Sequence, residues 1–247
     1  MPDSLKISDP AFRPDRQLVL DEDEVHLWRV DLAAVARGEE RWQRILSPDE
    51  RTRAARFHFP QDREYFTATR ALLRTLLAGY VGADPKQLKF RYSSKEKPSL
   101  EPGSSGMEVE FNVSHSGSTA LLAFTRGRAV GVDVEMIRED FDHEAIAHRF
   151  FSENEKRDLN ALPQSERYEG FFRCWTRKES FIKALGTGLS LPLHQFDVSL
   201  RPGDKNALLA TRPDAAEAAL WSLQEVPADA GYIAALCVRG QEWRLIS

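Results

Sequence analysis

Residues 175–183 read WTRKESFIK, and their spacing predicts the helix around which the chain is organised. On a helix, Trp175, Glu179 and Lys183 fall at i, i+4 and i+8 on one face, and Lys178 lies beside them. By itself this pattern is typical of an exposed amphipathic helix, in which a Glu–Lys pair contributes ~0.3 kcal/mol. A further role for these charges therefore depends on what other segments bring to the same face.

The rest of the chain predicts a mixture of helices and strands. Strands are predicted at 24–31, 88–92, 109–113, 119–125 and 129–137, and again near 195–200, 206–211, 220–226, 231–238 and 242–246. Helices are predicted after capping boxes at Ser47 and Ser152, over 61–80 with Gly82 just past the end, and over 166–185. Residues 1–22 are polar and contain proline, so they are predicted to form a loose arm.

Three local matches recur in the same order in the two halves of the chain. They are the capping boxes at Ser47 and Ser152, two long helices ending at Gly79 and Gly186, and the segments ALLAFTRGRAV (120–130) and IAALCVRGQEW (233–243), with offsets of 105, 107 and 113 residues. Helix caps and Arg-Gly hairpins can also recur by chance. The near-constant offset favours an α+β pseudo-dimer of two similar halves, 1–128 and 129–247, related by a pseudo-twofold axis with a ligand cleft between them.

Composition excludes several classes of protein. The 247 residues carry a formal net charge of −4, which argues against a broad nucleic-acid-binding surface. The two cysteines give no disulfide framework, which indicates a reducing compartment. No segment approaches the ~20 apolar residues of a membrane span, and the N-terminus has no apolar signal segment. We therefore expect a cytoplasmic protein that does not bind a membrane.

The segment VGVDVE at 130–135 predicts a pair of carboxylates on one strand face. Side chains alternate along a strand, so Asp133 and Glu135 point to the same side. Two adjacent carboxylates repel each other unless a cation lies between them, and hard oxygen ligands suit Mg²⁺. Glu179 is the candidate for a third ligand. The alternative is a polar strand face exposed to solvent, although aspartate is a poor strand residue.

The segment FNVSHSG at 111–117 ends a predicted strand with a histidine between two serines. A serine hydrolase is not favoured, because the chain has no G-x-S-x-G elbow and neighbouring strand residues point to opposite faces. His115 could donate a hydrogen bond to a phosphate, or it could simply cap a turn. The spacing of the histidines and cysteines predicts no zinc site, and there is no P-loop or G-x-G-x-x-G motif.

Basic residues are spread along this acidic chain, and any one of them is most simply a solvated surface charge. The set is Arg53, Arg56, Arg70, Arg74, Lys95, Lys97, Lys178 and Lys183. A subset that converged on a cleft would hold a polyphosphate.

Taken together, these motifs resemble the 4′-phosphopantetheinyl transferases. The resemblance rests on VGVDVE (130–135), WTRKESFIKALGTGLSLPL (175–193), FNVSHSG (111–117) and RFFSENE (149–155). It is closest to the two-half type that activates the carrier domains of peptide synthetases, polyketide synthases and fatty-acid synthases. That type folds as a pseudo-dimer of two α+β halves, in agreement with the internal matches.

The resemblance implies a reaction and its participants. The 4′-phosphopantetheine arm of coenzyme A would move to a serine of an apo acyl or peptidyl carrier protein, releasing 3′,5′-adenosine bisphosphate. The reaction would require Mg²⁺, for which Mn²⁺ can substitute. The enzyme would be a monomer, because a duplicated chain supplies both halves of the cleft.

The resemblance also implies residue roles. The metal ligands would be Asp133, Glu135 and Glu179, and the catalytic residues would be Glu179, Lys183 and Glu155. Coenzyme A would contact Arg53, Arg70, Arg74, Lys95, Lys97, Pro98, Ser114, His115, Lys178 and Lys183. The proton acceptor for the attacking serine stays open between Glu179, Glu155 and a metal-bound water. Glu96 stands where glycine is usual in the loop beside the adenine, which changes the backbone conformations open to that loop.

Two alternatives fit the same carboxylates. One is a Mg²⁺-dependent phosphodiesterase or pyrophosphatase, which would use water as the nucleophile. The other is an inactive module that binds coenzyme A or a carrier. The presence of Asp133, Glu135, Glu179 and Lys183 argues against an inactive module.

Overall fold

A computed structural model describes residues 5–9, 11–13, 17–93, 97–101, 108–186 and 188–247, apart from the side chains of Glu39 and Leu189. The fold is α+β, as the sequence predicts, and the chain divides into two compact units. Unit 1 comprises Met1–Glu110, Ser118–Gly127 and Arg244–Ser247, and unit 2 comprises Phe111–Gly117 and Arg128–Trp243. Within the described residues, no helix is both long enough and apolar enough to cross a membrane.

The elements follow the predicted order. The strands are β1 (Lys6–Ile7), β2 (Glu24–Asp31), β3 (Phe90–Tyr92), β4 (Pro98–Leu100), β5 (Val109–Ser116), β6 (Thr119–Arg126), β7 (Val130–Met136), β8 (Phe196–Val198), β9 (Leu208–Thr211), β10 (Trp221–Glu225), β11 (Tyr232–Arg239) and β12 (Arg244–Ile246). The helices are α1 (Leu32–Val35), α2 (Glu39–Gln43), α3 (Pro48–Ala54), α4 (Pro60–Val81), α5 (His143–Phe150), α6 (Glu153–Ala161) and α7 (Arg167–Leu185). Both predicted capping boxes are confirmed, at the starts of α3 and α6.

The sheet of unit 1 is built on β2. Antiparallel β6 pairs with it from Val25 opposite Thr125 to Asp31 opposite Thr119, and β1 and β12 run parallel to it. Within unit 1 the strand order is β1-β2-β6. The long helix α4 ends at Gly82, whose φ of +68° is a left-handed conformation that glycine adopts without strain.

Unit 2 has a smaller sheet, in the order β10-β11-β7, with both pairs antiparallel. Helix α7 packs against β7 and β11, and it ends at Gly186 with a φ of +70°. Its apolar side enters a core that includes Phe171, Phe181 and the unbridged cysteines Cys174 and Cys237. Helix α7 is therefore fixed on the sheet along most of its length.

The two units share one order of elements. Each begins with a strand, continues through a capping-box helix and a long helix with a left-handed terminal glycine, and returns through a short hairpin to two further strands. In unit 1 β2 pairs with β6, and in unit 2 β7 pairs with β11, so corresponding strands are paired in both. The repeated topology agrees with the internal sequence matches, while the pseudo-twofold relation stays a prediction.

Three expectations about the framework need correction. The 1–22 segment is not a loose arm in its described part, because β1 pairs with β2 and Leu5, Ile7 and Leu20 are buried. The chain does not divide at residue 128 alone, because β12 joins unit 1 and residues 111–117 join unit 2. The first long helix continues past Gly79 to Val81, so Gly82 is the counterpart of Gly186.

Candidate active site

Strand β7 and helix α7 approach each other closely at Gly131. A side-chain Cβ at this position would lie 2.1 Å from the Ser180 carbonyl oxygen and 2.3 Å from the Ala184 backbone nitrogen. Only glycine leaves room for this contact. Because strand side chains alternate, Asp133 and Glu135 point to the same side as Gly131, toward α7. The glycine in VGVDVE thus allows α7 to lie beside the two carboxylates.

The side chains predicted from the two motifs line one cavity of about 350 Å³. Its lining residues are Val113, Ser114, His115, Asp133, Glu135, Trp175, Glu179 and Lys183. The face predicted for residues 175–183 is therefore the face that meets the strand. His115 is exposed, whereas Asp133 is 3% exposed. We call the carboxylates of Asp133, Glu135 and Glu179 the acidic floor of the cavity; Asp133 is its buried member, and His115 is an exposed residue of the lining.

Lys183 neutralises part of this acidic floor. Its Nζ lies 2.6 Å from Asp133 Oδ1 and 3.0 Å from Ser114 Oγ, with the Val132 carbonyl oxygen at 3.4 Å. Its side chain is 27% exposed, so the ammonium can also reach a ligand in the cavity. Lys183 and Asp133 thus form an ion pair on the lining of the cavity.

Burial and the charges of neighbouring carboxylates disfavour ionisation of the glutamates in the cavity. Burial and the nearby Asp133 raise the pKa of Glu179 to about 7, although Lys183 opposes the shift. Burial, followed by Asp133, also raises the pKa of Glu135. Asp133 Oδ2 is buried and has no hydrogen-bond partner among the described residues. One lysine therefore leaves negative charge that a further cation would balance.

The carboxylate oxygens of the cavity are of the kind that binds a hard divalent cation, but they are not arranged around one common point. In the described part of the chain, no group of three or more His, Cys, Asp or Glu side chains is arranged so that it could hold a metal ion. Lys183 contacts Asp133 Oδ1. Carboxylate oxygens suit Mg²⁺, and the unpartnered Asp133 Oδ2 is an available donor. Adjustment of Lys183 and of the glutamates would be needed to close a metal site.

Two residues assigned from the resemblance lie elsewhere. Lys178 is fully buried, with its Nζ 2.7 Å from Glu155 Oε1 and donating to the carbonyl oxygens of Leu193 and Phe196. Glu155 is 1% exposed and accepts from the backbone N–H of Ser152 and Val198, at 2.8 Å each. All three ammonium donors are thus used inside the core. In this arrangement Lys178 cannot reach a phosphate, and Glu155 cannot accept a proton from a substrate.

The first-half arginines divide into two groups. Arg53 and Arg70 line a separate cavity of about 640 Å³ in unit 1, together with Asp49, Glu50, Thr52, Arg56, Phe66 and Tyr92. Arg70 is bound to Glu50 and donates to the Tyr92 hydroxyl at 2.6 Å. Arg74 is 2% exposed and pairs with Glu50 at 2.6 Å, while its guanidinium also donates to the Pro85 and Leu88 carbonyl oxygens. The expectation that Arg74 contacts coenzyme A is therefore wrong for this arrangement.

The predicted adenine loop is only partly described. Lys97 exchanges hydrogen bonds with Ser93, and Pro98 opens β4. Lys95 and Glu96 lie outside the described residues. The sequence analysis also missed Asn112 and Ser116 as partners of β7, although their alternation with Ser114 along β5 was a usable signal.

Comparison with known proteins decides the family. Residues 129–237 match the model of the 4′-phosphopantetheinyl transferase superfamily, and residues 38–126 match that of the N-terminal region of a 4′-phosphopantetheinyl transferase. The 4′-phosphopantetheinyl transferase HetI of Nostoc sp. is 40% identical over 227 residues, which cover 92% of each chain. This chain belongs to the 4′-phosphopantetheinyl transferase family. The resemblance seen in the motifs is thereby confirmed.

Further relatives of this transferase agree on the type. The 4′-phosphopantetheinyl transferase Sfp of Bacillus subtilis is 32% identical over 198 residues, covering 80% of this chain and 84% of that protein. The crystal structure of Thermotoga maritima holo-[acyl-carrier-protein] synthase is 26% identical and covers 46% of this chain and 63% of that one. Its TM-score of 0.36 is too low to bear on the fold. The similarity to Sfp and HetI identifies an Sfp-like transferase.

Proposed function

We propose that this transferase moves the 4′-phosphopantetheine arm of coenzyme A to a serine of an apo acyl or peptidyl carrier protein. The observation that carries the proposal is the cavity in which Asp133, Glu135, Glu179 and Lys183 meet. The serine oxygen would form a bond to the phosphorus that carries the pantetheine. The bond from that phosphorus to the adenosine side of the pyrophosphate would break, and 3′,5′-adenosine bisphosphate would leave.

We propose Asp133, Glu135 and Glu179 as the residues that hold Mg²⁺, for which Mn²⁺ can substitute. The unpartnered Asp133 Oδ2 and the raised pKa values of Glu135 and Glu179 support a cation at this position. When bound, the ion would neutralise negative charge that develops on the pyrophosphate. No other part of the cavity offers comparable oxygen donors among its lining residues.

The chain's own residues would perform the remaining tasks. Lys183, partly exposed beside Asp133, would stabilise charge on the leaving phosphate. His115, exposed on the lining of the cavity, would donate to a coenzyme A phosphate. Glu179 would take the proton of the attacking serine, directly or through a water molecule. Glu155 is set aside because its oxygens are bound inside the core.

The further features of the family are proposals of the same kind. We propose that the two units act as halves of a pseudo-dimer within one monomer, and that the protein works in the cytoplasm without nucleic acid or membrane. Arg53, Arg70 and Lys97 are the basic residues that we propose for the remaining coenzyme A phosphates. The repeated strand order supports the duplication, and the arginine-lined cavity supports an anionic ligand.

The test is intact-protein mass spectrometry of several apo acyl and peptidyl carriers after incubation with coenzyme A, Mg²⁺ and this enzyme. The expected result is a gain of one phosphopantetheine, lost when the acceptor serine is replaced by alanine. Adenosine bisphosphate should appear only when a carrier is present. Its release without a carrier would identify a phosphodiesterase instead, and coenzyme A binding without turnover would identify a binding module. Full turnover in excess chelator would remove the metal from the proposal.

A further inference from the structure

Alternate residues of β5 line the free edge of β7. The backbone N–H of Val132 donates to Asn112 Oδ1 at 2.9 Å, and that of Met136 donates to Ser116 Oγ at 3.1 Å. Between them, the Val134 N–H lies 3.4 Å from Ser114 Oγ. The other edge of β7 pairs with β11. Short polar side chains at i, i+2 and i+4 of β5 thus replace a neighbouring backbone on this edge.

The two serines make a second contact that the asparagine does not make. Ser114 Oγ donates to Asp133 Oδ1 at 2.8 Å, and Ser116 Oγ donates to Glu135 Oε2 at 2.8 Å. A hydroxyl is one donor and can accept as well, so each serine can join a backbone N–H to a carboxylate. The amide of Asn112 ends the same row without a carboxylate partner among the contacts described for it. The row therefore contains two residues that touch the acidic floor and one that does not.

These contacts fix one oxygen of each carboxylate and leave the other available. Asp133 Oδ1 receives Ser114 and Lys183, whereas the buried Oδ2 has no partner among the described residues. A hydrogen bond to one oxygen restricts rotation of the carboxylate and so directs the second oxygen. Outer hydrogen bonds of this kind commonly orient metal-binding carboxylates.

We propose that Ser114 and Ser116 are positioning residues that orient Asp133 and Glu135 toward the metal ion. Ser114 would act through Asp133, to which its hydroxyl donates. The inference rests on the proposed function, because it requires these two carboxylates to bind the ion.

The experiment measures Mn²⁺ affinity of the full chain from the electron paramagnetic resonance signal of free Mn²⁺, with and without coenzyme A. Ser114→Ala and Ser116→Ala should each weaken binding about tenfold. Asn112→Ala is the matched control: it removes a bond of the same row but should change Mn²⁺ affinity by less than about twofold. Ser116→Thr, which keeps the hydroxyl at a half-buried position, should restore affinity. Circular dichroism identifies variants that remain folded, and Ser116→Ala is expected to be one.

The outcomes separate the inference from the proposed function. Tight Mn²⁺ binding by the wild type that Ser116→Ala and Ser114→Ala leave unchanged would overturn the positioning role alone. Equal weakening by Asn112→Ala would also overturn it, because the row would then act only as a support for β7. Absence of Mn²⁺ binding by the wild type, with coenzyme A present, would overturn the metal assignment and this inference together.

Discussion

The long helices of the two units are held by the same kind of buried ion pair, but they differ on the face that meets a strand. In unit 1, the capping-box residue Glu50 is buried against Arg74 of α4 at 2.6 Å. In unit 2, the capping-box residue Glu155 is buried against Lys178 of α7 at 2.7 Å. Arg74 and Lys178 both stand eight residues before the terminal glycine, and both also donate to carbonyl oxygens that follow the helix. The shared pair fastens the long helix to its neighbours in each unit.

The difference lies on the helix face that is directed toward β2 in unit 1 and toward β7 in unit 2. In unit 1, the Tyr80 hydroxyl is hydrogen-bonded to His26 Nδ1 at 2.8 Å and to Trp28 Nε1 at 2.9 Å, so bulky side chains fill the space. In unit 2, Gly131 brings α7 against β7. Both units therefore hold their long helix with a buried ion pair, and the acidic cavity lies in the unit where glycine lets the helix approach the strand.

The largest effect is expected at the position where the two helices differ in chemistry. Glu179 stands seven residues before its terminal glycine, and Thr75 occupies that place in unit 1. Glu179→Gln removes a carboxylate from the cavity and should lower kcat/KM by on the order of 10³-fold while the fold is retained. Carrier modification assays and circular dichroism measure the two properties.

The matched control for this prediction is Thr75→Val. It removes only a hydroxyl that donates to the Ala71 carbonyl oxygen within α4 and should keep most of the activity. Wild-type turnover by Glu179→Gln would remove Glu179 from the chemistry. A comparable loss in Thr75→Val would show that the two units do not divide their roles as the comparison suggests.

The next largest effect concerns the shared ion pairs. Lys178→Met leaves Glu155 as an unpaired buried charge and should lower the free energy of unfolding by about 3–5 kcal/mol. Arg74→Met should lower it by less, because Arg70 still pairs with Glu50. Urea denaturation measures both. Glu155→Gln combined with Lys178→Met should recover part of the loss, because no unpaired charge is then buried and the amide oxygen still accepts from one of the two backbone N–H groups, of Ser152 or Val198.

Kinetics of the same variant test the buried position of Lys178. Because its ammonium group is used inside the core, the folded fraction of Lys178→Met should bind coenzyme A with a KM within about twofold of the wild type. A tenfold rise in that KM, without loss of folded protein, would restore the assignment of Lys178 to a phosphate.

Sequence reasoning succeeded where short periodicities decide the structure. The period of a strand places Asp133 with Glu135, and the period of a helix places Trp175 with Glu179 and Lys183. Together they predicted four of the charged residues that meet in one cavity. The capping boxes were equally visible, because their two hydrogen bonds join residues three positions apart.

Reasoning failed where distant residues pair against their ordinary tendencies. The resemblance assigned Lys178 and Arg74 to phosphates, and no local pattern shows that they are buried, since lysine and arginine seldom are. Their partners, Glu155 and Glu50, lie more than twenty residues earlier in the chain. The place of β12 beside β2 was equally hidden, since strand pairing between the two ends of a chain leaves no local pattern.

A smaller effect is expected from a substitution of Gly131, where α7 lies against β7 in unit 2. Gly131→Ala would place a Cβ within 2.3 Å of backbone atoms of α7, so the helix must shift. Overpacking of this kind should cost about 3 kcal/mol of stability and weaken activity, because Glu179 and Lys183 move with the helix. Thermal unfolding and the carrier assay measure the two losses.

Gly127→Ala separates this steric effect from the general cost of replacing glycine. Its φ is +64° and no atom lies within 4 Å of the added Cβ, so only the left-handed backbone conformation is penalised, by about 1 kcal/mol. Similar losses in the two variants would mean that α7 does not press on β7 at Gly131.

The smallest effect is the pH dependence of stability that arises from the hydrogen-bonded side chains of His26, Tyr80 and Trp28 in unit 1. Trp28 can only donate, so the Tyr80 hydroxyl accepts from it and donates to His26 Nδ1, and the proton on His26 Nε2 faces Glu24 at 3.1 Å. Burial lowers the pKa of His26 from its usual 6.5, with Glu24 opposing the shift. Below about pH 6.5 the unfolded chain therefore binds a proton that the folded chain resists, and stability should fall by less than about 1 kcal/mol between pH 7.5 and 5.5. His26→Gln should flatten this dependence in urea titrations at the two pH values, whereas Trp28→Phe should lower stability at both and keep the slope. If His26→Gln leaves the pH dependence of stability unchanged, His26 is not a buried neutral histidine. The two units would then differ here only in the volume of the side chains between helix and strand.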